Sequence, residues 1–175
     1  AKAIEHGIMP MAVVGDGDSL PQSVREMLGE RLHIVNEQDY NDLTKATRFV
    51  LANIPGAKNI AYLAATGKRE DHTLGNISLM AFYAEDLGIT PTLITDHGSF
   101  FVACGKQKFE SFEGQQVSIF NLSCSLLSGI GFRWQPYAYK MLWQGTLNEA
   151  VGNEVDIDGD GTYMVFRTYQ RKINE

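Results

Sequence analysis

The sequence predicts a mixed α/β protein, with a parallel sheet and helices in its first half and antiparallel β-structure in its second half. Up to about Asp96, short apolar runs alternate with amphipathic segments, which is typical of parallel strands connected by helices. Beyond Asp96 the helical period disappears, and short β-rich runs follow at close intervals with turn residues between them. We therefore expect an α/β domain at 1–96 and a β-sandwich at 97–175.

Residues that favour helix ends mark the four helices expected in the first half. Ser19 is a candidate cap and Pro21 a first-turn residue for the second helix, and Pro55 ends the third. A glycine follows the first and the fourth helix, where it favours a helix end. We place helices at 1–6, 21–29, 39–53 and 71–87, and strands at 12–14, 33–35, 60–65 and 92–95.

The second half contains six short runs that are typical of strands. An acidic run at 156–161 matches the first half of an EF-hand calcium loop. Arg167 stands where that loop needs a bidentate glutamate, so we interpret the run as a hairpin turn. We place the strands at 100–104, 108–112, 116–122, 131–134, 154–157 and 163–168.

Charge and cysteine content argue against several classes of function. The chain carries 15 Lys and Arg against 21 Asp and Glu, a net charge of −6, which disfavours binding to nucleic acid and to anionic membranes. No apolar stretch approaches the roughly 20 residues that span a bilayer. Cys104 and Cys124 form neither a zinc motif nor a disulfide framework. We expect a cytoplasmic protein whose two thiols are free and buried.

Three polar clusters follow three of the predicted strands, at the edge where open α/β sheets bind ligands. The first cluster runs from Gly15 to Ser19 and contains Asp16 and Asp18. Two carboxylates separated by a glycine can approach one Mg²⁺, which prefers oxygen ligands and phosphate. Taken alone, these residues fit a turn followed by a helix cap equally well.

The second cluster runs from Gln38 to Lys45, and within it Asp39, Asp42 and Lys45 recur every three residues. On a helix this spacing places the three side chains on one face, near the end where the dipole favours anions. Lys45 can there offset the charge of a phosphate. The alternative is a capping arrangement with a solvated charged face.

The third cluster runs from Thr66 to His72, where Lys68 and Arg69 can contact phosphates and Asp71 can bind a metal or cap a helix. It is not a P-loop, because the glycine and the hydroxyl residue of that motif are absent. We interpret His72 as structural. Together, the three clusters indicate a Mg²⁺-dependent enzyme that acts on a nucleoside polyphosphate.

The ordered series 15–19, 38–45 and 67–76 resembles the signature motifs of the thiamine pyrophosphokinase family, and the resemblance covers nearly the whole chain. It implies a Rossmann-like α/β catalytic domain followed by an antiparallel β-sandwich, and a homodimer. It also implies transfer of a pyrophosphoryl group from ATP to the hydroxyethyl arm of thiamine, which gives thiamine diphosphate and AMP.

The resemblance implies roles for the matching residues. Thiamine would lie between subunits, where Trp134 can stack on its ring and Asn148 can bond its pyrimidine; the alternative for Trp134 is a core position. The carboxylates expected to hold Mg²⁺ and phosphate are Asp16, Asp18, Asp42 and Asp71, with the metal on the first three. The residues expected to contact phosphate or nucleotide are Ser19, Gln38, Asp39, Lys45, Lys68 and Arg69.

The chain departs from the family pattern at three places. Leu147 stands where the family usually has serine, and Asn41 stands where it usually has threonine. The family's opening strand and its Asp-Gly-Gly-Ala motif, which supplies another acidic residue, would precede Ala1, and we expect them upstream.

Two other functions fit part of the pattern. A nucleotide-sugar transferase also uses an Asp-x-Asp metal site, which explains Asp16 and Asp18 but not the other two clusters. A non-catalytic protein that binds a nucleotide or thiamine would fit the substitution at Leu147 and a missing first strand.

Overall fold

The computed structural model describes residues 2–171, and contacts between residues divide the chain into two compact units, Ala1–Ala57 and Lys58–Glu175. The first unit contains one parallel pair of strands, in which Val13 is opposite Leu32 and Gly15 is opposite Ile34. Its elements are helix α1 (Lys2–Glu5), strand β1 (Val13–Gly15), helix α2 (Gln22–Leu28), a 3-10 turn (Gly29–Arg31), strand β2 (Leu32–Ile34) and helix α3 (Asp42–Asn53).

Two helices of the first unit begin later than predicted. Helix α3 begins at Asp42 because the side chain of Asn41 caps it and accepts a hydrogen bond from the Thr44 N–H at 3.0 Å. The prediction that this helix begins at Asp39 is therefore wrong. Helix α2 begins after Pro21 and has no side-chain cap, so the prediction that Ser19 caps it is also wrong. The first predicted helix is confirmed as α1, and Ala1 lies outside the described residues.

The second unit contains a six-stranded sheet of order β3-β4-β5-β11-β7-β9 and a three-stranded sheet of order β6-β10-β8. Strands β3 and β4 are parallel, and the other pairs are antiparallel. The elements are β3 (Asn59–Leu63), helix α4 (Glu70–Glu85), β4 (Thr90–Ile94), β5 (Gly98–Cys104), β6 (Gln107–Glu110), β7 (Gln115–Asn121), β8 (Leu127–Ile130), a 3-10 turn (Leu142–Gly145), β9 (Asn148–Glu149), β10 (Glu154–Gly159) and β11 (Thr162–Arg171).

The core of the second unit lies between its two sheets. Strand β10 and the first part of β7 alternate buried and more exposed residues, as expected for strands with one face in a core. Strand β11 has three consecutive buried residues, 163–165. The buried cluster joins residues of both sheets, among them Val117, Ile119, Val155, Ile157, Tyr163 and Val165.

The predicted fold class is confirmed, since parallel strand pairs precede antiparallel sheets along the chain. The acidic run ends β10 and includes the turn to β11, but these two strands lie in different sheets, so the prediction of a hairpin turn is wrong. The strand predicted at 131–134 is wrong: the strand is Leu127–Ile130, and Phe132 forms only an isolated bridge with Ala150. The buried residues of the strand Leu127–Ile130 are Leu127 and Gly129. Because this short run contains a serine and a glycine, its hydrophobic alternation is hard to recognise in the sequence.

Sheet pairing continues across the domain boundary expected near Asp96, because β4 on one side pairs with β5 on the other. A boundary at that point remains a prediction, and residues 172–175 of the second predicted domain lie outside the described part.

Both cysteines are free, but Cys104 is exposed, so only the burial of Cys124 was predicted correctly. None of the helices between residues 2 and 171 is long and apolar enough to cross a membrane.

We expect Gly145→Ala to destabilise the second unit. A Cβ at Gly145 would overlap the carbonyl oxygen of Ile119 and lie 2.8 Å from the Tyr139 ring. Overpacking of this kind costs about 1–3 kcal/mol, to be measured as the free energy of unfolding in urea. Gly152→Ala is the control, because no atom lies within 4 Å of its Cβ position. Equal stability of the two variants would contradict the packing described here.

Candidate functional site

The first cluster forms a tight loop after β1. Asp16 Oδ1 accepts a hydrogen bond from the Asp18 N–H at 3.0 Å, as in a turn. Gly17 has φ +74°, and Arg25 donates to its carbonyl oxygen at 2.6 Å. Arg25 therefore closes the loop from α2, and Asp18 and Ser19 remain exposed. The interpretation of this cluster as a turn is correct, but no side chain of the loop caps α2, so the helix cap expected with the turn is absent.

The start of α3 brings part of the second cluster to the first. A Cβ on Gly15 would lie 3.0 Å from the Asp42 carboxylate, so this carboxylate packs against the residue before Asp16. Lys45 is only 6% exposed, and its Nζ lies 3.2 Å from the Val35 carbonyl oxygen and 3.6 Å from Asp42 Oδ1. The structure thus holds a buried ammonium beside a carboxylate whose side chain is 60% exposed.

The other predicted members of the second cluster lie outside this group. Asp39 precedes α3 and is exposed, so the prediction that it shares a helix face with Asp42 and Lys45 is wrong. Gln38 is exposed as well, and its Nε2 lies 3.4 Å from the Asn36 carbonyl oxygen. The capping alternative is correct to the extent that Asn41 caps the helix.

The carboxylates of the first unit offer oxygen ligands, which hard cations such as Mg²⁺ prefer. Mg²⁺ is usually bound by one or two carboxylates together with waters and substrate phosphates. Asp16 and Asp42 offer such oxygens at the end of β1 and the start of α3. Within residues 2–171, no group of three or more His, Cys, Asp or Glu side chains is arranged to hold a metal ion.

The third cluster lies between β3 and α4. Arg69 donates two hydrogen bonds to Asp71, at 2.6 and 3.1 Å, and the His72 N–H donates a third at 2.9 Å. Arg69, and then the His72 amide, lower the pKa of the Asp71 carboxyl, which therefore stays ionised at neutral pH.

A cavity of about 320 Å³ opens at this loop, at the amino end of the 16-residue helix α4. Asn76 braces the loop by donating to the Ala65 carbonyl oxygen at 2.7 Å, and Ala64 has the unusual φ of +55°. Basic side chains and a helix amino terminus favour an anion. The lining residues are Ala64, Ala65, Thr66, Lys68, Arg69, His72, Thr73 and Asn76.

The two residues predicted for the second half lie together in another cavity, of about 290 Å³. Trp134 is 55% exposed, so the alternative of a core tryptophan is wrong. Leu147 has φ +63° and an exposed side chain, an uncommon conformation for a bulky residue. The lining residues are Trp134, Tyr139, Gln144, Thr146, Leu147 and Asn148.

Asn148 is 4% exposed, and its amide forms three hydrogen bonds to the backbone. Its Oδ1 accepts from the N–H groups of Trp134 and Glu149, at 3.2 and 2.8 Å, and its Nδ2 donates to the Trp134 carbonyl oxygen at 2.7 Å. Both acceptor positions and one of the two donor positions of the amide are thereby occupied.

Several lining residues carried no recognisable signal in the sequence. Tyr139 lies in an irregular segment and Gln144 in the short 3-10 turn that follows it. Gln144 Oε1 accepts from the N–H groups of Lys140 and Met141, at 3.0 and 2.9 Å. Ser118, on the neighbouring strand β7, accepts from the Leu147 N–H at 3.2 Å. Irregular backbone has no hydrophobic period, so only the folded chain identifies these residues.

Two family models match consecutive parts of the chain and describe a protein with a catalytic and a substrate-binding part. The model of the thiamin pyrophosphokinase catalytic domain matches residues 2–90, just over half of the chain. The model of the thiamin pyrophosphokinase substrate-binding domain matches residues 98–166. The chain therefore belongs to the thiamin pyrophosphokinase family.

Individual relatives agree with this assignment. Thiamine pyrophosphokinase 1 of Oryza sativa subsp. japonica is 29% identical over 154 residues, which cover 79% of this chain and 57% of the rice protein. Thiamine pyrophosphokinase of Bacillus subtilis is 36% identical over 81 residues, 44% of this chain and 37% of that protein. The matched region thus spans less than two thirds of either relative.

A solved structure shows the same fold. The crystal structure of a thiamin pyrophosphokinase family protein from Enterococcus faecalis superposes with a TM-score of 0.81 and 20% identity, over 97% of this chain and 84% of that one.

We expect Asn148→Ala to lower the free energy of unfolding by about 1–3 kcal/mol, because it leaves buried polar groups of Trp134 and Glu149 without partners. Urea denaturation measures the change. Asn153→Ala is the matched control, since its exposed side chain makes no hydrogen bond within the described residues. If Asn148→Ala were as stable as the control, the amide would not hold the cavity wall.

Proposed function

We propose that this protein transfers a pyrophosphoryl group from ATP to thiamine in the presence of Mg²⁺, giving thiamine diphosphate and AMP. The observation that carries the proposal is the Asp42 carboxylate packed on Gly15, with the buried ammonium of Lys45 behind it. This arrangement lies within the part of the chain that matches the catalytic-domain family model. Membership of the family supports the choice of substrates.

The proposed reaction is one displacement at phosphorus. The hydroxyl oxygen of thiamine bonds to the β-phosphorus of ATP, the bond from that phosphorus to the oxygen bridging it to the α-phosphorus breaks, and AMP leaves. The hydroxyl proton is lost to a base or to water. Such transfers depend on positioning and charge neutralisation, with little covalent chemistry for the protein to supply.

Asp16, Asp18 and Asp42 are the residues proposed to hold Mg²⁺, which when bound would neutralise charge on the phosphates. Lys45 is well suited to hold a fixed positive charge, because its burial and its bond to the Val35 carbonyl oxygen restrict the side chain. Asp18 is exposed and could therefore turn toward a bound ligand.

A phosphate-binding role is proposed for the cavity between β3 and α4. Lys68 and Arg69 supply positive charge there, and the start of α4 adds the partial charge of its dipole. Arg69 holds Asp71 as an ion pair, so a phosphate that binds Arg69 would compete with this carboxylate. The family motifs alone support three further proposed nucleotide contacts, the exposed residues Ser19, Gln38 and Asp39.

The thiamine site is proposed at the cavity lined by Trp134 and Asn148. The exposed indole of Trp134 can stack on a cationic ring, while Asn148 keeps the Trp134 backbone in place.

We also propose a homodimer that works in the cytoplasm. Exposed apolar residues in the same stretch of chain as the lining residues support an interface between copies, namely Tyr137, Met141, Leu142, Trp143, Leu147 and Val151.

The assay that tests this function incubates the purified chain with ATP, Mg²⁺ and thiamine and quantifies the products by chromatography. We expect thiamine diphosphate and AMP in equal amounts, and neither without Mg²⁺. Binding of ATP or thiamine without product would favour the non-catalytic alternative. Turnover with a nucleotide sugar but not with thiamine would favour the transferase that uses an Asp-x-Asp metal site.

We expect Asp42→Asn to reduce kcat at least about 100-fold, because it removes a charge proposed to hold the metal. The free energy of unfolding should change by less than about 1 kcal/mol, since the side chain is 60% exposed and asparagine has the same shape. Asp86→Asn, an exposed carboxylate at the end of α4, is the control. Wild-type turnover by Asp42→Asn would refute the assignment of the site.

A further inference from the structure

The guanidinium of Arg25 joins the two ends of a turn in the loop that carries Asp16 and Asp18. Its Nη2 donates to the Gly17 carbonyl oxygen at 2.6 Å, and its Nε donates to the Leu20 carbonyl oxygen at 3.1 Å. The Leu20 N–H donates to the same Gly17 carbonyl oxygen at 2.9 Å. One rigid, planar group therefore constrains Gly17 and Leu20 relative to each other.

Helix α2 holds this loop through Arg25 rather than through a helix cap. The helix begins after Pro21 and has no capping side chain to tie its start to the loop. In the described part of the chain, both hydrogen bonds from α2 side chains to the loop come from Arg25. Loss of this side chain would therefore leave the turn without its side-chain contact to the helix.

Gly17 lies between the two carboxylate residues and is held from two sides. Its φ of +74° lies in the left-handed region, which glycine adopts at little cost. A Cβ on Gly17 would lie 2.7 Å from Ile34 Cδ1 on β2 and 3.8 Å from Arg25 Nη2 on α2. The backbone between Asp16 and Asp18 is thus packed between a strand and the guanidinium.

Arg25 holds the loop without neutralising its carboxylates. Both of its hydrogen bonds go to carbonyl oxygens, and within residues 2–171 it forms no ion pair with a carboxylate. Asp16 uses only its Oδ1 in the turn, where it accepts from the Asp18 N–H at 3.0 Å. The other carboxylate oxygens of the loop therefore stay available to a cation.

We propose that Arg25 is a positioning residue for the reaction, because it holds Asp16 and Asp18 in the arrangement that receives Mg²⁺. The inference rests on the proposed function, which assigns the metal to these carboxylates. Ligands that are already fixed before a cation binds lose less conformational entropy on binding, and fixed charges favour phosphoryl-type transfer. Lysine would not replace Arg25, because one ammonium group lacks the planar fork that reaches two carbonyl oxygens.

The test compares Arg25→Met and Arg25→Lys with the wild-type full chain, and two of its three measurements need no turnover. NMR gives the hydrogen-exchange rates of the Asp18 and Leu20 N–H groups. Proton relaxation gives the affinity for Mn²⁺ in the presence of an ATP analogue with a methylene bridge between its α- and β-phosphorus. The assay for AMP gives kcat and the KM for thiamine. Both replacements favour helix, so α2 should form in each variant.

We expect Arg25→Met to speed exchange of both N–H groups about fivefold, because the turn loses its contact with α2. It should weaken Mn²⁺ binding and lower kcat at least about tenfold each, and leave the KM for thiamine unchanged. Arg25→Lys should behave in the same way, since charge alone does not restore the two hydrogen bonds.

Arg31→Met is the matched control and should equal the wild type, because Arg31 is exposed, belongs to the same unit and has no hydrogen-bond partner for its side chain within the described residues. Unchanged exchange or Mn²⁺ affinity in Arg25→Met, full recovery in Arg25→Lys, or no Mn²⁺ bound by the wild-type complex would overturn the positioning role. So would wild-type kcat in Arg25→Met. If the wild-type chain forms no AMP but exchange and Mn²⁺ affinity respond as expected, the proposed function alone is refuted.

Discussion

Burial of the inner face of β11 is the constraint on which the second unit depends. The strand pairs with β5 on one side and β7 on the other, and it places Tyr163 and Val165 in the core between the sheets. The Tyr163 hydroxyl donates to the carbonyl oxygens of Gly105 and Ile157, at 2.9 and 3.3 Å. Burial raises the pKa of this phenol, so it remains a neutral donor across the physiological range.

Both cavity regions of this unit are positioned by pairing with that central strand. On one side, β5 pairs with β4, and β4 pairs with β3. The turn at Asp96 follows the carboxyl end of β4, and the basic loop at Arg69 follows the carboxyl end of β3. On the other side, β7 pairs with β9 and sets Val117 opposite Asn148. One sheet therefore carries a cavity with basic side chains near one edge and a tryptophan-lined cavity near the other.

The first unit shows why part of a site can be predicted from local pattern. Asp16, Asp42 and Lys45 were found because they follow strand and helix-start signals, and the structure brings Asp42 to Gly15. Asp39 has the same three-residue spacing but lies outside the helix, because Asn41 takes the capping position. Spacing identifies a shared face only where the backbone is helical, and one capping hydrogen bond decides where the helix begins.

The sequence by itself determined the fold class, most strands and the family, because hydrophobic period, turn residues and motif order are local properties of the chain. Only the tertiary structure decided that Trp134 is exposed, that the Asn148 amide bonds to the Trp134 backbone, and that Asp96 and His97 border a cavity. These properties depend on which strands pair and which side chains meet across them. Contacts between residues distant in sequence leave no periodic signal that a single sequence can reveal.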